Sequence, residues 1–210
     1  SPQPPCPSAP PLLRPPAPLP LRPTAPRLLY FDLETQKSAE EVGGWENRHL
    51  MRLACAVVYD DLEKRFHIFL EEEIPRLVEI LAGADLVVGF NLIRFDYGVL
   101  RGYTPFDFSQ VRTFDILVDV RRRLGFRLSL DHLAGRTLNV RKTADGLQSL
   151  RWFKEGKLDK IIEYCRKDVE ITRDLFLFGL KNHYLVFERR EGGVVRLPVD
   201  WDLEILLSKI

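Results

Sequence analysis

Leu28-Leu29-Tyr30-Phe31-Asp32-Leu33-Glu34-Thr35 is the stretch whose reading decides the fold. It is apolar on both faces as far as Phe31, as a strand in the middle of a sheet must be. Successive strand side chains point to opposite faces, so Leu28, Tyr30, Asp32 and Glu34 share one face. Leu29, Phe31, Leu33 and Thr35 take the other. Two carboxylates therefore stand side by side at the end of a buried strand, where low dielectric sharpens their repulsion. The pair alone is also what a strand reaching water at Asp32 would show.

Outward from this strand the chain alternates. Residues 53–59 and 65–70 read as two further strands, parted by a turn at Asp60-Asp61. Residues 72–81 have helical periodicity, 85–90 form a short buried strand, and a helix follows over about 94–101. Residues 114–124, 129–133, 144–155 and 159–180 read as helices, the last the longest. Residues 184–188 and 194–197, around Gly192-Gly193, suggest a terminal hairpin. Strands first and helices interleaved afterwards imply one α/β domain over 27–210, with a mixed central sheet flanked by helices.

Upstream the composition changes. Of the 15 prolines in the 210 residues, 12 lie in 1–26. Such a segment lacks backbone donors and an apolar face, so it reads as a disordered, semi-rigid linker or tail. A chain that opens at Ser1 fits a piece of a longer protein, with the linker tethering another domain. The 31 Lys+Arg balance 30 Asp+Glu to a net charge of +1, so bulk charge gives no case for a nucleic-acid binder. No apolar run approaches the ~18 residues of a membrane span. Cys6, Cys55 and Cys165 make neither a zinc spacing nor a disulfide framework. A soluble chain in a reducing compartment, the cytoplasm, is the expectation.

Acids recur where apolar residues belong. On the helix over 159–180, Ile161, Cys165, Thr172, Leu175, Phe176 and Gly179 cluster within roughly 60° of the apolar centre. Asp159, Lys160, Glu163, Arg166, Lys167, Glu170, Arg173 and Asp174 lie opposite. Asp168 falls inside the apolar stripe, with Tyr164 one turn before it. In Asn91-Leu92-Ile93-Arg94-Phe95-Asp96, Asp96 joins the apolar side with Phe95, Val99 and Leu100, while Tyr97 and Arg101 point away. Asn91 sits where the strand ends, so its amide is placed to cap the helix. Buried carboxylates need cations or strong donors. Convergence on hard cations would account for all four, and oxygen-only ligation favours Mg²⁺ or Mn²⁺ over zinc.

Phe31-Asp32-Leu33-Glu34-Thr35, then Asn91-x3-Phe95-Asp96, then Tyr164-x3-Asp168 resemble the three ordered motifs of the DEDDy 3′-5′ exonucleases of the ribonuclease H-like superfamily. The middle motif is most similar to that of the proofreading domain of family B DNA polymerases. Residues 27–187 also resemble the YprB-like ribonuclease H-like domains, some of which are attached to helicase-like proteins. The resemblance implies a ribonuclease H-like fold and a metal-dependent 3′-5′ exonuclease acting on ends of single-stranded DNA or RNA. It implies two Mg²⁺ or Mn²⁺ ions, one held by Asp32, Glu34 and Asp168 and a second bridged by Asp32 with help from Asp96. Tyr164 would orient or help deprotonate the attacking water. Within 210 residues there is no room for a polymerase domain beside this one.

Substrate contacts are harder to place. Residues 111–181 hold 16 Lys+Arg against 10 Asp+Glu, a local excess that suits a phosphate-tracking groove or a solvated helical surface. Lys142 aligns with a basic position often seen in YprB-like domains, and Asn91 is a second substrate candidate. Phe90, Tyr97 and Trp152 suit base stacking, though their apolar surroundings suit core packing better. Residues 36–52 have no clear periodicity and read as a loop near the site. Two alternatives remain at this point: a ribonuclease H-like endonuclease, which would not need Tyr164, and a non-catalytic nucleic-acid-binding module, which would not need all four acids.

Overall fold

The computed structural model describes residues 25–140 and 146–208. Seven strands and seven helices follow in order: β1 Leu28–Thr35, β2 Leu53–Asp60, β3 Arg65–Phe69, α1 Ile74–Ala82, β4 Leu86–Gly89, α2 Tyr97–Leu100, β5 Thr113–Asp115, α3 Ile116–Leu124, α4 Leu130–Thr137, α5 Gly146–Lys154, α6 Leu158–Asn182, β6 Tyr184–Glu188, β7 Val194–Pro198 and α7 Leu203–Ser208. Five strands form one sheet in the order β3-β2-β1-β4-β5. β1 runs antiparallel to β2 and parallel to β4. The sheet is thus mixed, with β1 at its centre.

The alternation along β1 sorts the core into two layers. Leu28 and Tyr30 pack with Cys55, Val57 and Val88 beneath α3, α4 and α6. Leu29, Phe31 and Leu33 pack with Ala56 and Val58 against Leu77 and Leu81 of α1. The face that begins with Leu28 and Tyr30 is the face that ends in Asp32 and Glu34, and α6 lies over it. The register against β2 slips between Glu34 and Thr35, an irregularity that re-aims side chains at a strand end. The stripe along α6 comes out as its periodicity implies, with Ile161, Tyr164, Cys165, Asp168 and Val169 all buried. The terminal hairpin, β6 with β7, is antiparallel.

Three expectations need correction. Residues 113–115 are a strand, and the helix read from 114 begins only at Ile116. The Asp115 carboxylate accepts the amide N–H of Leu117 at 3.0 Å and so caps α3. Three residues leading straight into an apolar helix carry too little period to register as a strand. Tyr97 does not point away: it is buried and stacked on Phe108, ring centroids 4.7 Å apart. A π-helical turn over Leu92–Asp96 precedes it, and the wider turn rotates every later side chain relative to an ideal helix. Asn91 makes no side-chain cap; its backbone sits at φ 71°, and the turn is held instead by Asp115.

Candidate active site

The acids reach the site from three local devices. Asp32 and Glu34 leave the end of β1 on the α6 face, and Asp168 comes from the buried stripe of α6. One carboxylate oxygen from each of these three lies within 4.8 Å of the others. Asp96 closes the π-helical turn, where it is 2% exposed. Its Oδ1 accepts the Leu33 amide N–H at 3.2 Å. That bond ties the turn to β1 between the two strand acids.

The turn itself is pinned from below. The Asn91 and Ile93 amides donate to the two Asp115 oxygens at 2.8 and 3.0 Å. Gly89 permits the descent into it, because a Cβ there would lie 2.4 Å from Leu92 Cγ. Asn91 Oδ1 accepts from Arg127 Nη2 at 3.3 Å.

The electrostatics are those of acids held against repulsion. Burial raises the Asp32 carboxyl well above the ordinary 3.8, and Asp96, Asp168 and Glu34 push it further in the same direction. The Cys165 thiol opposes them, its Sγ 3.4 Å from Asp32 Oδ2 and 3.3 Å from the Asp32 carbonyl oxygen. Asp96 is also raised, by burial first and then by Asp115. Tyr164 is 5% exposed and sits one turn before Asp168, its ring edge-on to Trp152 at 6.2 Å. Burial and then the charges of Asp168, Glu34 and Asp32 drive its phenol pKa upward.

Asp32, Glu34, Asp96, Asp168 and Tyr164 are thus brought to one end of β1. Lys142 lies outside the described residues. Of the three stacking candidates, Tyr97 belongs to the core on the α1 face, Phe90 is half-buried against the core on the α6 face, and Trp152 stands half-buried beside Tyr164. Sequence reasoning missed Asp115 and Cys165. Asp115 carried a helix N-cap signal that the misread helix start concealed. Cys165 stood in the apolar stripe with nothing to separate it from packing.

An oxygen-only set of acids that destabilise one another is a donor set for hard divalent cations. The chemistry of the residues fits such ions, and the sheet that carries them is mixed and flanked by helices, an α/β domain. The chain belongs to the 3′-5′ exonuclease family, whose model matches residues 44–178. That match carries Asp96, Tyr164 and Asp168 and begins after Asp32 and Glu34. Among solved structures, the family B DNA polymerase from the hyperthermophilic archaeon Pyrobaculum calidifontis is similar in fold, with a TM-score of 0.53 at 17% identity over 75% of this chain. The chain spans 26% of that polymerase's length. No curated protein matches the sequence.

Proposed function

We propose that this domain hydrolyses phosphodiester bonds one nucleotide at a time from the 3′ end of single-stranded DNA or RNA. The observation that carries the reading is the convergence of Asp32, Glu34 and Asp168 within 4.8 Å, with Tyr164 one turn away. Asp32, Glu34 and Asp168 would hold one Mg²⁺ or Mn²⁺ ion, and Asp32 with Asp96 a second. When bound, the ions supply charge neutralisation at the phosphate and lower the pKa of the attacking water. Cys165 fixes the Asp32 carboxylate in place, and the Leu33 amide does the same for Asp96. Tyr164 would orient the attacking water or help deprotonate it.

The endonuclease reading would leave Tyr164 without work, and so is the weaker. The proline-rich segment is proposed as a tether to another domain, helicase-like or otherwise; it lies outside the described residues apart from Ala25 and Pro26. Among the described residues no helix is long and apolar enough to cross a membrane. The test uses 5′-labelled DNA and RNA oligonucleotides with Mn²⁺ or with EDTA. The expected result is a ladder descending by single nucleotides, absent in EDTA. Cleavage of a closed circular strand would overturn it.

A further inference from the structure

Immediately before Asp96, the residues Asn91, Arg94 and Phe95 line an open cavity of about 300 Å³, completed by Trp45, Arg48 and Arg127. Three separate segments build it, and one of them is the stretch after β1 that has no periodicity. Trp45 opens a 3₁₀ turn over Trp45–Leu50 and is 61% exposed. Its ring meets Phe95 edge-on, with centroids 6.0 Å apart. A large indole exposed to water beside a second ring is a surface suited to stacking a base.

The arginines divide into two kinds. Arg48 is structural: it donates to the carbonyl oxygens of Trp45 at 2.8 Å and Arg94 at 3.0 Å. It also lies so close to α2 that a Cβ on Gly98 would fall 2.3 Å from its Cδ. This residue rivets the Trp45 turn to the motif that carries Asp96. Arg94 and Arg127 are exposed and have no carboxylate partner among the described residues. Arg127 spends one N–H on Asn91 Oδ1 and keeps most of its five donors. The floor is rigid, since Asp115 holds the Asn91 and Ile93 amides.

Unneutralised guanidinium groups beside an exposed indole, in a cleft of small-ligand size, suit a base on the ring and a phosphate on the cations. We infer that this cavity holds one nucleotide of the single strand, its base against Trp45 and Phe95 and its phosphate on Arg94 and Arg127. The identity of the strand rests on the exonuclease reading; the grip itself is independent of base sequence. It gives the segment after β1 a function, and it makes Asn91 the residue that aims Arg127.

The test is fluorescence anisotropy on the full chain with 5′-fluorescein-labelled dT8 and rU8 in EDTA, where binding is read without hydrolysis. Trp45→Ala and Arg127→Ala should each weaken binding by about 5- to 150-fold, the span of one base stack, and Trp45→Phe should keep most of the affinity. Arg127→Ala should also lower the slope of log affinity against log salt by about 0.7, a change that loss of packing does not produce. Arg190→Ala, an exposed arginine on the terminal hairpin, should stay within twofold of wild type. The inference is overturned if Trp45→Ala and Arg127→Ala both bind like wild type, or if wild type binds neither oligonucleotide. Failure of the exonuclease reading looks different: no Mn²⁺-dependent shortening, with the anisotropy differences intact.

Discussion

Among the described residues two clusters bring their ligand atoms within 4.8 Å of one another, and the buried aspartate of each meets different neighbouring charges. Asp32, Glu34 and Asp168 bring their oxygens within 4.8 Å, and so do the ligand atoms of Asp60, Glu63 and His67. The second cluster supplies its own cation. Asp60, fully buried, receives the Arg27 guanidinium at 2.7 Å, and its other oxygen accepts the amides of Leu62 and Glu63. Glu63 faces His67 at 3.1 Å and Arg27 at 4.0 Å. Asp32 has acids for neighbours, and they raise its pKa. Proximity of the carboxylates is therefore read together with the charges beside them: Asp60 has the Arg27 guanidinium in contact, whereas the Asp32 pKa is pushed up by burial and then by Asp96, Asp168 and Glu34. One cluster closes a β-turn around Arg27, and the other is the donor set proposed above for divalent cations.

Breaking each cluster should separate them sharply. Asp32→Asn removes the acid common to both proposed ion sites and should reduce nuclease activity to the level seen in EDTA. The same variant should lose the stabilisation by Mn²⁺, about 2.7 kcal/mol at a hundredfold excess over the dissociation constant. Its metal-free melting temperature should rise, because one repelling charge is gone. Next in size is Tyr164→Phe, which keeps the ring in place and deletes the donor. Turnover should fall by ~10²–10⁴-fold with KM nearly unchanged, since the hydroxyl acts in the transition state.

In the other cluster, Arg27→Ala leaves Asp60 buried without its cation and should cost about 3 kcal/mol of stability in urea titration, at the low end for a broken buried pair. Mn²⁺ should still stabilise this variant. A variant that lost the Mn²⁺ response would show the two clusters to be coupled.

The legible parts of the molecule are those with long periods. β1 shows its two faces in eight residues, and α6 shows Asp168 out of place because twenty-five residues define the stripe it interrupts. β5 has three residues and merges with α3, so its strand character comes from pairing with β4, a long-range contact with no local sign. Tyr97 was misplaced because a π-helical turn changes the angular step, and no residue in Leu92–Asp96 announces it. Trp45 and Arg127 come from segments without period, and only the folded chain brings them to Phe95. The acids were readable because burial of a charge violates a local rule; the cavity beside them violates none.

The smallest effect concerns pH. Asp32 and Asp96 have raised pKa values in the folded chain, so the native state binds more protons than the unfolded one above 3.8. Their contribution to metal-free stability is fully present below 3.8 and is lost as pH rises through the raised values. Stabilisation by Mn²⁺ should therefore grow with pH over that window, because protons and cations compete for the same oxygens. Thermal melts at several pH values, with and without Mn²⁺, read this directly.

The proposal that Asp32, Glu34 and Asp168 hold divalent ions while Asp60 is already paired with Arg27 is tested most directly by calorimetric titration of Mn²⁺ into three proteins: wild type, Asp32→Asn and Glu63→Gln. The expected result is two ions per chain in wild type and in Glu63→Gln, with binding lost in Asp32→Asn. Binding that survives Asp32→Asn and disappears in Glu63→Gln would contradict it.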